Sequence, residues 1–169
     1  LGVAGKMVGF NSNQVLGLST ALSSLGIEAA AGGSSVSKML KKIDLAVSTG
    51  DKNLSKFAEV SGMTSQQFQK AWGEDAAGTF LKFVQGIGKS ADVTKTLNDL
   101  GITEVRQAQA MGALAQSSDV LANALNVSKN AWQANSAMAT EAEKRYGTLK
   151  SQMSQTWEAV KQAADELGQ

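Results

Sequence analysis

Hydrophobic residues recur at helical spacing through almost the whole chain, and strand-like alternation of apolar and polar residues does not occur. The helical pattern breaks at glycines and at short polar residues, which commonly end and start helices. The sequence therefore predicts an all-α fold, with several short helices packed as a small helical domain and followed by one long amphipathic helix.

The longest apolar stripe lies in residues 137–167. Its members are three or four residues apart, and no charged residue interrupts them. They are Met138, Ala142, Tyr146, Leu149, Met153, Trp157, Val160, Ala164 and Leu167. Residues of one kind recur at intervals of 11, which corresponds to about 3.67 residues per turn and predicts a straight or weakly right-handed stripe. A seven-residue register fits worse, because it would place Arg145, Gln152 and Thr156 on the apolar seam.

Two interpretations of this stripe remain open. The helix packs on its own domain, or it forms a rod that contacts copies of itself, with the stripe as the helix–helix interface. Glu141 and Arg145, and again Lys161 and Asp165, are spaced four apart as solvated pairs. The pattern still runs at Gln169, so we expect the helix to continue in a longer protein.

The earlier part of the chain is divided by polar caps and glycine stops. We place a small multi-helix domain at residues 1–126 and the long helix at residues 127–169. Helices are predicted to start at residues that can cap an N-terminus: one of Asn11-Ser12-Asn13, Ser34 or Ser35, Asp51, Thr64, Asp75, Asp92, Thr103 and Asp119. Helices are predicted to end at Gly26, Gly50, Gly62 and Gly101. Residues 27–33 are small and glycine-rich, which predicts a connector.

The clearest local signal is a capping box at residues 64–67. The Thr64 hydroxyl and the Gln67 amide can each accept a hydrogen bond from the other residue's backbone N–H. Met63 precedes the cap and Phe68 follows at the position of a hydrophobic staple, with Trp72 one turn later. We interpret Met63, Phe68 and Trp72 as core residues; a functional aromatic site is the alternative.

Composition removes many kinds of chemistry. The 169 residues include no proline, no cysteine and no histidine, and aromatic residues make up 5%. Disulfides, thiolate nucleophiles, imidazole bases and most zinc sites are therefore excluded. We expect a core of Ala, Leu, Val and Met. The net charge of +1 gives no global attraction to nucleic acid or anionic lipid.

Targeting and membrane signals are also absent from the sequence. No apolar run approaches the roughly 20 residues that span a bilayer. The opening Leu1-Gly2-Val3 is typical of mid-domain sequence rather than of a signal peptide.

Residues 86–90, Gly-Ile-Gly-Lys-Ser, superficially resemble the end of a phosphate-binding loop. That motif needs a glycine where this chain has Phe83, and it follows a strand rather than a helix. We therefore interpret these residues as a glycine-rich helix end and predict no nucleotide site and no cofactor.

Two other charged groups favour no active site. Glu74-Asp75 and Asp165-Glu166 are neighbouring carboxylates, but adjacent helical residues point in different directions, and Asp75 can serve as a cap. Lysines 38, 41 and 42 share a helix face without interleaved aromatic or arginine residues, which favours a solvated face over a nucleic-acid patch. We predict no catalytic, cofactor-binding or metal-binding residues.

Five blocks of sequence resemble the core region of phage tail tape measure proteins, in the order found in that family. They are ALSSLGIEA at 21–29 running into Gly32-Gly33, FAEVSGM at 57–63, FQKAWGEDAAG at 68–78, LNDLGITEVR at 97–106, and KNAW at 129–132 followed by EAEKRY at 141–146. None is diagnostic alone, but together they cover nearly the whole chain.

The resemblance implies a structural role. Such proteins are long and mostly helical, and a few parallel copies fill the lumen of the tail tube, so that their length sets tail length. The implied partners are further copies, tail tube and tail-tip proteins and, transiently, the host envelope as the genome is delivered. The implied location is the phage tail of the virion, with assembly in the host cytoplasm. The resemblance implies neither a small-molecule ligand nor sequence-specific nucleic-acid binding.

A second hypothesis comes from a different class. A helical adaptor or an envelope-associated protein-interaction domain could share the same pattern without measuring a tail. An enzyme is a distant third hypothesis, because the family has no catalytic residues in this region. Some members carry peptidoglycan hydrolases elsewhere, and the lack of His and Cys argues against one here.

Overall fold

A computed structural model of the protein describes the backbone of residues 1–167, with side chains except at residues 29, 132, 146, 149, 150, 152, 153 and 155–167. The described backbone contains helices and no strand, which confirms the all-α prediction. The helices are α1 Gly2–Met7, α2 Ser12–Ser24, α3 Ala29–Thr49, α4 Lys52–Val60, α5 Ser65–Glu74, α6 Ala76–Lys89, α7 Val93–Asp99, α8 Val105–Gln116 and α9 Ser118–Leu167.

The chain divides into two compact units, Leu1–Lys129 and Asn130–Gln169. The first unit contains α1 to α8 and the first turns of α9. Its central helices are α3, which packs against α1, α2, α4 and α8, and α6, which packs against α4, α5, α7 and α8. In the second unit, the described element is the remainder of α9.

Most of the predicted helix starts are confirmed, because each depends on a bond between near neighbours in sequence. Asn11 and Thr64 both form capping boxes, and the Thr64 hydroxyl accepts from the Gln67 N–H at 3.2 Å. Asp51, Asp75 and Asp92 also accept backbone N–H groups with their carboxylates. The predicted glycine stops all have a positive φ between 65° and 69°: Gly26, Gly50, Gly62 and Gly101.

The prediction for residues 27–33 is wrong. Helix α3 already begins at Ala29, with Glu28 as an N-cap residue that makes no side-chain cap bond, so neither Ser34 nor Ser35 starts it. A Cβ atom on Gly32 would lie 2.5 Å from Cγ2 of Ile27. This glycine therefore sits inside a helix where a side chain would not fit, rather than in a connector.

Two later helix starts also differ from the prediction. Helix α8 begins at Val105 after Glu104, so Thr103 is not its cap. Helix α9 begins at Ser118 and places Asp119 in its first turn. The separate helices expected before and after residue 127 are one element. No glycine or proline lies between residues 118 and 127 to interrupt it.

The core of the first unit is more aromatic than its composition predicts. All five phenylalanines are buried: Phe10, Phe57, Phe68, Phe80 and Phe83. The Phe57 and Phe83 rings meet edge to face with centroids 5.6 Å apart, a favourable geometry for aromatic pairs. The expectation of a core of Ala, Leu, Val and Met holds for most of the buried cluster. It omits the phenylalanines, Trp72 and three isoleucines, which are buried in the same cluster.

The predicted core role of the residues around the capping box is confirmed. Phe68 and Trp72 are buried and stack with ring centroids 6.1 Å apart, and Met63 packs half-buried against the same cluster. The Trp72 indole N–H donates to the Asp44 carboxylate at 3.1 Å, so the ring is buried with its polar atom satisfied.

Candidate functional site

The predicted helix–helix interface lies on α9, and the structure describes only its first two side chains. Met138 is 70% exposed and Ala142 is half-buried. The other members of the predicted stripe lie outside the described side chains: Tyr146, Leu149, Met153, Trp157, Val160, Ala164 and Leu167. Their backbone is helical to Leu167. The interface therefore stays a prediction.

One of the two predicted charge pairs on this helix is observed. The Arg145 Nε donates to the Glu141 carboxylate at 3.1 Å, and both side chains are well exposed. Exposed pairs of this kind contribute only about 0.3–0.5 kcal/mol to a helix. The second predicted pair, Lys161 and Asp165, lies outside the described side chains.

The sequence suggested that the lysine face of α3 is solvated, but the structure shows contacts for two of its three lysines. Lys38 forms an ion pair with Glu104 at 2.6 Å. The Lys42 ammonium donates to the carbonyl oxygens of Leu100 and Gly101 at 2.7 and 3.0 Å. Lys41, between them, is exposed. Two of the three lysines therefore hold the turn that connects α7 to α8.

A lysine of α4 acts on the same turn. The Lys56 ammonium donates to the carbonyl oxygen of Asp99 at 2.9 Å. Carbonyl groups at a helix C-terminus have no partner within the helix and carry partial negative charge, so ammonium groups stabilise them. We refer to Lys38, Lys42 and Lys56 as the lysine latch.

The surroundings of Lys42 in the latch change its pKa. Burial lowers the pKa of the Lys42 ammonium from its ordinary value, the positive charge of Lys56 lowers it further, and Asp51 opposes both. The Lys42 ammonium loses part of its hydration on folding and donates hydrogen bonds to two carbonyl oxygens instead.

A groove of about 770 Å³ lies beside the latch, where the C-terminal ends of α4, α6 and α7 converge. Its lining includes Lys56, Lys82 and Lys89 together with Glu59 and Asp99. Among the side chains the structure describes, none of these five charged groups forms an ion pair. The groove thus combines three lysines with two carboxylates and with the partial negative charge of helix C-termini. This mixed lining does not point to one class of ligand.

The glycines of the phosphate-loop look-alike serve packing. They lie in the last turns of α6. A Cβ atom on Gly86 would overlap the carbonyl oxygen of Val60, and one on Gly88 would overlap that of Ala115. The glycines allow α6 to cross the ends of α4 and α8 at backbone distance, so the helix-end interpretation is supported.

The paired carboxylates do not form an acid–base pair in the described region. Asp75 accepts the Gly78 N–H at 3.0 Å as the cap of α6. Its neighbour Glu74 lies 3.9 Å from Lys70 on the exposed side of α5. The second pair, Asp165-Glu166, falls outside the described side chains.

The described part of the chain contains neither a metal cluster nor a helix that could span a membrane. No group of three or more Asp and Glu side chains there is arranged to hold a metal ion. No helix described there is both long and apolar enough to cross a bilayer.

Sequence reasoning missed the latch and the partner of Trp72. The Lys42 contacts join residues 58 and 59 apart in sequence, and the Asp44–Trp72 bond joins residues 28 apart. The only available signal was the four-residue spacing of Lys38 and Lys42, which places them on one face of α3. Nothing in that spacing identifies the α7–α8 turn as their partner.

Comparisons of the chain with protein-family models, with curated proteins and with solved structures give no match.

Proposed function

We propose that this chain is a segment of a phage or prophage tail tape measure protein. In this role it fills the lumen of the tail tube in a few parallel copies, sets tail length during assembly and assists genome delivery into the host. The five blocks of sequence described above support the proposal, because they follow the order of that family over nearly the whole chain.

The observation that carries the proposal is the unbroken helix α9. It has 50 residues, from Ser118 to Leu167, and each helical residue adds about 1.5 Å of length. An element whose length scales directly with residue number has the property that a molecular ruler requires. A ruler, unlike an active site, does not need side chains that converge on one point.

A partner helix follows from the same geometry. The described element of the second unit is one helix, and single helices in water gain most of their stability from packing an apolar face. The uninterrupted stripe from Met138 to Leu167 supplies such a face in sequence. We therefore infer that the amphipathic part of α9 packs in parallel against copies of itself inside the tube.

The proposed role is structural and not catalytic. The chain has no histidine or cysteine to act as a base or nucleophile. Tail tube and tail-tip proteins are the proposed partners besides further copies, and the virion tail is the proposed location.

Tail length tests the proposal directly. Deleting residues 139–160 from the complete parent protein removes two of the 11-residue intervals and joins the stripe in phase. We expect phage tails shorter by about 33 Å, at 1.5 Å per helical residue, in electron micrographs. Duplicating the same residues is the matched control and should lengthen the tails by the same amount. Normal tails from both variants would contradict the proposal and favour the helical adaptor domain.

A further inference from the structure

Residues 92–104 form a strap that runs along α7 and through the turn into α8. Its own hydrogen bonds are few, because α7 has seven residues. The turn is closed by the N–H groups of Leu100, Gly101 and Ile102, which donate to carbonyl oxygens three to five residues earlier at 2.8–3.0 Å. A helix this short has almost no stability of its own, so its order depends on tertiary contacts.

The tertiary contacts of the strap are of two kinds. Beneath it, the apolar side chains of Leu97, Leu100 and Ile102 are 4%, 3% and 1% exposed. Above it, the lysine latch holds three consecutive backbone carbonyls, those of residues 99, 100 and 101.

The bonds of the latch are unequal. The Lys38–Glu104 pair has both side chains more than half exposed, and a pair of that kind contributes little. Lys42 is half-buried and donates twice, so its two bonds form where water competes least. Lys56 donates once from an exposed position. The contacts that hold the strap therefore depend mainly on Lys42 and secondly on Lys56.

We propose that the strap is a lid that opens as a local unit, and that the ammonium groups of Lys42 and Lys56 set how often it opens. Opening removes the α7 wall of the groove, which is formed by Thr96, Asp99 and Leu100. It also uncovers the apolar side chains of Leu97 and Ile102. The remaining helices of the first unit keep their structure, because local openings involve contiguous segments that act as a unit.

Amide hydrogen exchange on the 169-residue chain tests this proposal. Lys42→Met keeps the length of the side chain and removes its ammonium group. Hydrogen bonds to charged groups are among the stronger ones, so we expect exchange about tenfold faster at the amides of Leu100, Gly101 and Ile102. For Lys56→Met we expect about threefold. Amides inside α6, at Phe83 and Val84, should be unchanged.

The matched controls are Lys41→Met and Lys52→Met. Both lysines are exposed on the same two helices, and neither side chain makes a hydrogen bond or ion pair in the described structure. The controls should leave exchange in the strap unchanged. If they accelerate it as much as the latch variants do, general charge effects are responsible and the proposal fails.

Two further results would overturn the proposal. Equal acceleration at the α6 amides would show that the latch acts on global unfolding alone, and no acceleration at the strap would show that the latch does not hold it. If a latch variant does not fold, the same test can be made on the wild-type chain by raising the salt concentration. Salt screens partly exposed charges, so exchange in the strap should then increase relative to α6, and a constant ratio contradicts the lid.

Discussion

Gly86 lies where the backbone of α6 crosses the end of α4, and its missing side chain makes that crossing feasible. A Cβ atom there would overlap the Val60 carbonyl oxygen, which belongs to backbone and cannot rotate away. By contrast, a Cβ on Gly73, near the end of α5, would meet nothing within 4 Å. Close packing thus requires a glycine at position 86 of the first unit, whereas it does not at position 73.

Substitution at these two glycines should have opposite effects on stability. We expect Gly86→Ala to lower the free energy of unfolding by about 1–3 kcal/mol, as in other overpacked sites. Gly73→Ala should raise it by up to about 1 kcal/mol, because alanine favours a helix over glycine. Urea unfolding followed by circular dichroism measures both changes. A stabilised Gly86→Ala variant would show that the crossing of α4 and α6 is looser than the structure indicates.

At the scale of elements, α9 differs from the other helices. Helices α1 to α8 pack against one another in the first unit. Beyond Lys129, the described residues of α9 form a unit without a second element. The stripe of α9 is therefore the candidate surface for the proposed self-association.

Association through the stripe can be measured by sedimentation. Burying one large apolar side chain contributes about 1.5–3 kcal/mol, so several per chain can support association at micromolar concentration. We expect the wild-type chain to associate and the double variant Trp157→Lys with Val160→Lys to be a folded monomer.

The control for this experiment places the same charges on the other side of the helix. Gln155 and Gln162 are each two residues from predicted stripe members, so helical periodicity predicts that they lie on the opposite side of the helix. Gln155→Lys with Gln162→Lys should associate as the wild type does. A monomeric wild type would contradict the interface, and loss of folding in the stripe variant would instead identify an ordinary core helix.

At the scale of the whole molecule, the first unit has a hydrophobic core of its own. Among the described side chains, every buried residue of that cluster falls between Val8 and Leu121, and the half-buried residues packed against it extend to Leu125. The unit therefore has the features of a domain that folds alone.

A fragment of residues 1–129 should have the same urea midpoint as the full chain, because it retains the entire cluster. A fragment of residues 1–116 is the matched control. It removes Leu121, which is fully buried, and should be destabilised by about 2–5 kcal/mol or more, as expected for deleting a large core side chain. An unfolded 1–129 fragment would show that residues beyond Lys129 are required for the core.

The sequence by itself determined the fold class and many of the helix ends. The caps at Asn11, Asp51 and Thr64 were predictable because a cap is a bond between a side chain and a backbone N–H two or three residues away. Gly50 and Gly101 were predictable as stops because a left-handed residue after a helix favours glycine. The burial of Phe68 and Trp72 followed from their helical spacing after the cap.

Only the tertiary structure decided which glycines stop a helix and which allow two helices to cross. In sequence, Gly32 looks like part of a connector and Gly86 like part of a helix end, but each lies inside a helix against atoms of another segment. The lysine latch was likewise hidden, since Lys42 reaches carbonyl groups 58 and 59 residues away. The physical reason is the same in both cases. Local hydrogen bonds are specified by near neighbours, whereas close packing and long-range polar contacts exist only once distant helices have been brought together.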